Sequence, residues 1–144
     1  MKKKSLVVGC GKLFQLVHLQ NIRKNTNIKI LIDPRKKLLS KILFEKKGLF
    51  RLTNFDRIKT LQKKFDIIFN ISSRQSSYYV IKKFLKFSKV IFSEKPGVFN
   101  YSQAKNLKKM SKNYKSKVFF GYMSRFDQNI IRLKKILSKQ KLNN

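Results

Sequence analysis

Acidic residues are scarce in this chain: 6 Asp and Glu stand against 36 Lys and Arg in 144 residues, a formal charge of +30. Cys10 is the sole cysteine and His18 the sole histidine, so no intrachain disulfide can close and no Cys/His cluster exists to hold zinc. A lone thiol fits a reducing cytoplasm. No run of 18 apolar residues occurs, which excludes a membrane-spanning helix. The opening Met1-Lys2-Lys3-Lys4-Ser5-Leu6-Val7-Val8-Gly9-Cys10 has the outline of a lipoprotein signal. Its apolar part is only about five residues, where a secretory signal needs roughly 7 to 15, and it reads as a strand. Internal linkers, low-complexity blocks and solenoid repeats are also missing.

What is present points to a folded domain. Hydrophobic residues make up 42% of the chain and 13 are Phe, too many for a disordered basic tail, and the length suits one core. A charge of +30 attracts polyanions at low salt. The lysines, however, run from Lys2 to Lys141 without forming a stripe, and no helix-turn-helix, RNP or zinc-finger pattern positions them. Lys outnumbers Arg 29 to 7, and Asn, Ile and Phe are abundant, as in an AT-rich coding sequence. The expectation is therefore incidental stickiness rather than specific nucleic-acid recognition. A basic nucleic-acid-binding or non-catalytic cofactor-binding module is the alternative class.

Apolar β-branched and aromatic runs alternate with amphipathic stretches. Strands are predicted over Ser5–Gly9, Lys29–Asp33, Leu49–Leu52 (weakly), Asp66–Ser72, Val90–Glu94 and Val118–Tyr122. Helices are predicted over Leu13–Lys24, Pro34–Lys47, Asp56–Lys64, Ser76–Phe87, Ser102–Asn113 and Gln128–Gln140. Six alternations with nearly all-apolar strands imply an α/β fold, a doubly wound parallel six-stranded sheet with helices on both faces. Asn100, Ser102 and Asp127 are candidate helix caps, and Pro34 suits a first helical turn. Tyr78, Tyr79, Phe119 and Phe120 are assigned to packing.

The first strand runs into Gly9-Cys10-Gly11-Lys12-Leu13-Phe14 and then a helix. Gly9 permits a tight turn, Gly11 lets backbone approach a pyrophosphate on the helix N-terminus, and Lys12 adds charge. The third glycine of the dinucleotide fingerprint is replaced by Phe14, which predicts a wider loop or shifted helix. Asp33 ends the second strand 22 positions after Gly11, where a carboxylate accepts from an adenosine ribose; it also suits the turn before Pro34. The carboxylate of Asp33 favours NAD as the cofactor, and NADP is the alternative because Arg35, with Lys36 and Lys37, is placed to meet a 2′-phosphate. His18 reads as a partly exposed helix residue without a metal partner. Cys10 reads as a small residue filling the loop, although a helix N-terminus can also activate a thiol.

Further along, Glu94-Lys95-Pro96 resembles the Glu-Lys-Pro signature of the Gfo/Idh/MocA oxidoreductases. The stretch from Asp66 to Glu94 resembles the family run ending in that signature, and Gly121-Tyr122-Met123-Ser124-Arg125-Phe126-Asp127 resembles its Gly-Tyr…Arg-Phe-Asp segment. The resemblance spans about residues 5–137. It implies a Rossmann fold whose Gly9, Gly11 and Leu13-Phe14 backbone cradle the cofactor phosphates, with Asp33 at the adenosine ribose. It further implies Glu94 near the nicotinamide ribose, Lys95 touching cofactor and substrate as the catalytic base, and Arg125 near the nicotinamide end or a domain junction. Ser72-Ser73-Arg74 stands where the family has Thr-Pro-Asn, and Ser77 where it has His; Ser72 still offers a hydroxyl toward the cofactor.

The implied activity is hydride transfer at a sugar or polyol CH–OH group. Residues 1–126 are expected to form the dinucleotide-binding domain, and 127–144 a helix leading toward a substrate domain that is absent. That absence predicts a truncated or split product, a subunit needing a separate substrate domain, or a stand-alone cofactor-binding protein. An apolar patch is expected to favour a homo-oligomer.

Overall fold

The computed structural model describes residues 2–42, 48–55 and 65–139. Among the described residues six strands form one sheet: β1 (Lys3–Val8), β2 (Thr26–Ile32), β3 (Phe50–Leu52), β4 (Phe65–Asn70), β5 (Ser88–Ser93) and β6 (Lys117–Phe120). Their order is β3-β2-β1-β4-β5-β6, and every neighbouring pair is parallel. The chain therefore moves outward from β1 to β3, then crosses to β4 on the other side of β1. This reversal opens a crevice at the carboxyl ends of β1 and β4, where ligands of such sheets bind.

Helical residues begin at 12, with a π-helical turn over Phe14–His18 that runs into α1 (Leu19–Asn25). The other helices among the described residues are α2 (Lys36–Ser40), α3 (Arg74–Phe84) with a 3-10 turn at Leu85–Phe87, α4 (Tyr101–Asn113) and α5 (Gln128–Lys139). The expected helix over residues 56–64, the end of the one over 34–47, and Gln140 lie outside the described residues. Asn100 caps α4 by accepting the Gln103 N–H at 2.9 Å, and Asp127 caps α5 by accepting the Asn129 N–H at 2.8 Å. Ser102, by contrast, lies inside α4, and Pro34 precedes α2, whose cap position is taken by Arg35.

Two apolar layers flank the sheet because successive strand side chains point to opposite faces. Leu6, Val8, Ile30, Ile32 and Ile68 pack with Val80, Ile81 and Phe84 of α3 and Leu107 of α4. Val7, Ile28 and Leu31 pack on the other face with Phe14, Ile22 and Leu39. Each fully buried side chain of this size contributes about 1.5–3 kcal/mol. Tyr78 and Phe120 pack as predicted, but Tyr79 and Phe119 are exposed. Tyr79 lies on the outer side of α3, and Phe119 sits on the edge strand with its side chain uncovered. Along α5 and the turn before it, Met123, Phe126, Ile130, Leu133, Ile136 and Leu137 are exposed, the apolar patch expected of this end of the chain.

Candidate functional site

The exit from β1 is clamped on both sides. Gly9 N–H donates to the Ile32 carbonyl at 2.9 Å, and Ile71 N–H donates to the Val8 carbonyl at 2.7 Å. Gly9 itself has φ +88°, and a Cβ there would run into the Ile71 carbonyl, so the position tolerates only glycine. At Gly11 the nearest atom to a built Cβ is the Arg35 guanidinium at 3.5 Å, which leaves the backbone approachable. The helix starts at once: Gln15 N–H donates to the Gly11 carbonyl at 3.1 Å. Amides of that opening turn face no preceding turn and form a ready anion cradle. Lys12 and Leu13 are exposed there, whereas Phe14 is fully buried.

The departure expected from Phe14 takes a definite form. Leu19 N–H bonds to the Phe14 carbonyl five residues back, making the turn π-helical. A π turn is wider than an α turn and absorbs an extra residue. A large ring is thereby seated against Val7, Leu31 and Ile71, where glycine would otherwise bring helix and strand together. Cys10 is buried, its thiol donating toward the Ile32 carbonyl, and burial together with the Asp33 charge pushes its pKa up to about 12. This is the loop-filling residue, not an activated thiolate.

Asp33, at the end of β2, is 1% exposed and fully engaged. Its Oδ2 accepts the Cys10 N–H at 2.8 Å and the Arg35 Nη2 at 2.9 Å, while Oδ1 accepts the Arg35 backbone N–H at 3.0 Å and Nε at 2.8 Å. Burial pushes the Asp33 carboxyl up, but the Arg35 hydrogen bonds and the Cys10 amide outweigh it and hold the pKa below the ordinary value. The Arg35 guanidinium, itself held protonated by Asp33, remains 60% exposed and faces the Gly11 turn.

At the end of β4 the buried Asn70 organises a polar knot. Its Nδ2 donates to the hydroxyls of Ser77 and Ser93, both at 2.9 Å, and its Oδ1 accepts from the Ser72 hydroxyl at 2.6 Å. Ser72 and Ser73 border the crevice, but Ser77 is buried within the knot and braces the strand ends. The sequence reading missed Asn70, although a polar side chain closing an otherwise apolar run is a visible signal.

Glu94 lies just beyond β5. Its backbone N–H donates to the Asn70 carbonyl at 2.9 Å, its Oε1 lies 2.8 Å from His18 Nε2, and its Oε2 accepts the Lys95 N–H at 3.3 Å. Gly121 lies beside it: a Cβ there would approach Glu94 Oε2 to 3.4 Å. Lys95 is exposed at the head of this turn, and the Lys95–Pro96 peptide is cis. Arg125 is exposed in the 3-10 turn Met123–Phe126 beyond β6. His18 is the partly exposed helix residue expected, with 18% of its side chain exposed, and in addition it pairs with Glu94. Nothing local in the sequence signals a pair 76 positions apart.

A cavity of about 510 Å³ occupies the crevice, bordered by Gly9, Gly11, Asp33, Arg35, Ser72 and Ser73. Its size is in the range of small-ligand sites. The glycine turn, helix start and acid after β2 fit the pyrophosphate and adenosine ribose of a dinucleotide.

Comparisons with known proteins agree with this geometry. The family model described as an oxidoreductase family with an NAD-binding Rossmann fold matches residues 3–122. A search of curated proteins finds no match. Among solved structures, the scyllo-inositol dehydrogenase of Lactobacillus casei with bound NAD(H) and scyllo-inositol superposes with a TM-score of 0.76 at 20% identity, covering 100% of this chain and 43% of that one. The myo-inositol 2-dehydrogenase of Lactobacillus plantarum gives 0.76 at 15% identity, covering 100% and 43%. A 3-ketoreductase from Actinomadura kijaniata, in complex with NADP and TDP-benzene, gives 0.79 at 15% identity, covering 96% and 43%. The chain thus spans less than half the length of these proteins.

Proposed function

The chain belongs to the Gfo/Idh/MocA oxidoreductase family, with its NAD-binding Rossmann fold, and from that premise we propose that it binds NAD or NADP in the β1/β4 crevice and serves hydride transfer at a sugar or polyol CH–OH group. The observation that carries the reading is the Gly9–Gly11 turn opening onto the same cavity as Asp33 and Ser72. Gly9, Gly11 and the backbone of Lys12, Leu13 and Phe14 hold the phosphates, with Lys12 adding charge. Asp33 and Arg35 hold the adenosine end, Ser72 and Ser73 line the middle, and Ser77 braces them. Glu94 and Lys95 serve the nicotinamide end, with Arg125 beyond it.

The bound dinucleotide supplies the hydride acceptor or donor. This chain's contribution to the chemistry is Lys95, whose amine, once deprotonated, takes the hydroxyl proton of the alcohol being oxidised, or returns it from the ammonium in the reverse direction. Residues 1–126 act as the cofactor domain, and the uncovered apolar face of α5 is a surface on which a substrate domain or a second copy of the chain packs. A buried, unreactive Cys10 suits a cytoplasmic protein.

Titration of the purified protein with NADH and NADPH, followed by cofactor fluorescence, tests the reading. Saturable binding of either supports it, and no binding at millimolar cofactor overturns it. Tight duplex-DNA binding with sequence preference at 200 mM salt would instead favour a basic nucleic-acid module.

A further inference from the structure

We infer that His18 is a positioning residue: it holds the Glu94 carboxylate, and through it the Lys95 turn, from across the crevice. Four observations carry this. His18 Nε2 and Glu94 Oε1 are 2.8 Å apart, with side-chain exposures of only 18% and 17%. The other carboxylate oxygen accepts the Lys95 backbone N–H, so one carboxylate ties the first helix to the first residue of the turn. The space around it is filled: the His18 ring lies 6.1 Å from the Phe92 ring, and Gly121 leaves just enough room beside Oε2. The last observation is the π turn itself. By absorbing one residue between Phe14 and His18, it advances the phase of the following helix by about 100° while Phe14 keeps its place in the core.

The chemistry follows from these contacts. An ionised carboxylate only accepts, so His18 Nε2 carries the hydrogen in this contact. With Oε1 and Oε2 both committed, Glu94 acts chiefly as a strut, and the reacting group it orients is Lys95. The same helix begins at the phosphate cradle, so the pyrophosphate site and the lysine turn share one rigid element. This inference rests on the dinucleotide reading for its ligand, but its structural half can be read without one.

The test uses the full chain and two variants, His18→Ala and His18→Gln, the latter keeping a nitrogen donor of similar reach. Hydrogen exchange at the Lys95 amide is measured in the free protein, and affinities are measured for NADH and for ADP-ribose, which lacks the nicotinamide. For His18→Ala we expect Lys95 exchange about tenfold faster and NADH affinity about tenfold weaker, the scale of one charge-assisted hydrogen bond, with ADP-ribose affinity unchanged. His18→Gln should return both toward the wild type. Unchanged Lys95 exchange in His18→Ala overturns the inference. An equal loss for NADH and ADP-ribose also overturns it, because that pattern marks a general packing defect of the helix. If the wild-type protein binds neither probe, the functional reading falls, and Lys95 exchange alone decides whether His18 holds the turn.

Discussion

Two carboxylates stand at strand ends on either side of the crevice, and each is held in a different way. Asp33, after β2, is gripped chiefly by Arg35, two positions along the chain, with one further bond from the Cys10 amide. Glu94, after β5, is gripped by His18, which lies 76 positions earlier. The first grip is built into a local turn and forms wherever that turn forms. The second exists only when β1, β4 and β5 have paired and the first helix has docked with its π turn in place. The Asp33 side of the crevice is thus locally encoded, and the Glu94 side is a product of assembly.

The contrast can be broken most forcefully from the assembled side. Phe14 is fully buried and seats the π turn, so Phe14→Ala should cost about 3–5 kcal/mol in denaturant unfolding. In any folded fraction, the Lys95 amide should lose protection while the Arg35 amide, bonded within its own turn, keeps it. Equal loss at both would mean that the two sides are not independent.

A smaller effect probes the local side. Asp33→Asn removes the charge from a buried acceptor and should cost about 1–3 kcal/mol at neutral pH. Because Asp33 has a lowered pKa when folded, its stabilisation is complete above the ordinary carboxylate value of about 3.9. It is lost as pH falls through the lower folded value. The variant cannot lose that contribution, so the wild-type stability curve should fall more steeply on the acid side, and the two curves should converge there. Parallel curves would show that the carboxylate charge is not what the Arg35 turn stabilises.

The least disruptive change is Arg35→Ala. The two guanidinium bonds to the buried Asp33 are lost while the Cys10 and residue-35 backbone N–H groups still serve it, so the stability loss should be about 1 kcal/mol. Its consequence should fall on cofactor choice: NADPH affinity should drop several-fold relative to NADH, since Asp33 is freed for a ribose while a cation for the 2′-phosphate is lost. A ratio of the two affinities that does not move would exclude Arg35 from selection.

Much of this was legible in the chain. Uninterrupted apolar runs such as Leu6-Val7-Val8 and Ile30-Leu31-Ile32 identify buried parallel strands because burial on both faces leaves no place for polar alternation. Gly9, Gly11 and Asp33 were readable because a strand–turn–helix unit places them by short-range geometry. Asn100 and Asp127 act as caps as read, each through bonds two or three residues away. The illegible part has one physical cause, sequence distance. His18, Asn70 and Ser77 acquire their roles from neighbours that arrive only with sheet pairing, and Tyr79 and Phe119 look like core residues to any local pattern.

What the sequence by itself determined is the kind of fold and the position of the glycine turn after β1, since both depend on periodicity, glycine conformation and contacts within a few residues. Only the tertiary structure decided that Asp33 is already occupied by Arg35, that Phe14 is seated by a π turn, and that Glu94 is a strut held by His18. Those outcomes depend on which strand ends the reversal beside β1 brings together. No local pattern carries that information, because the partners meet only after the chain has crossed the sheet.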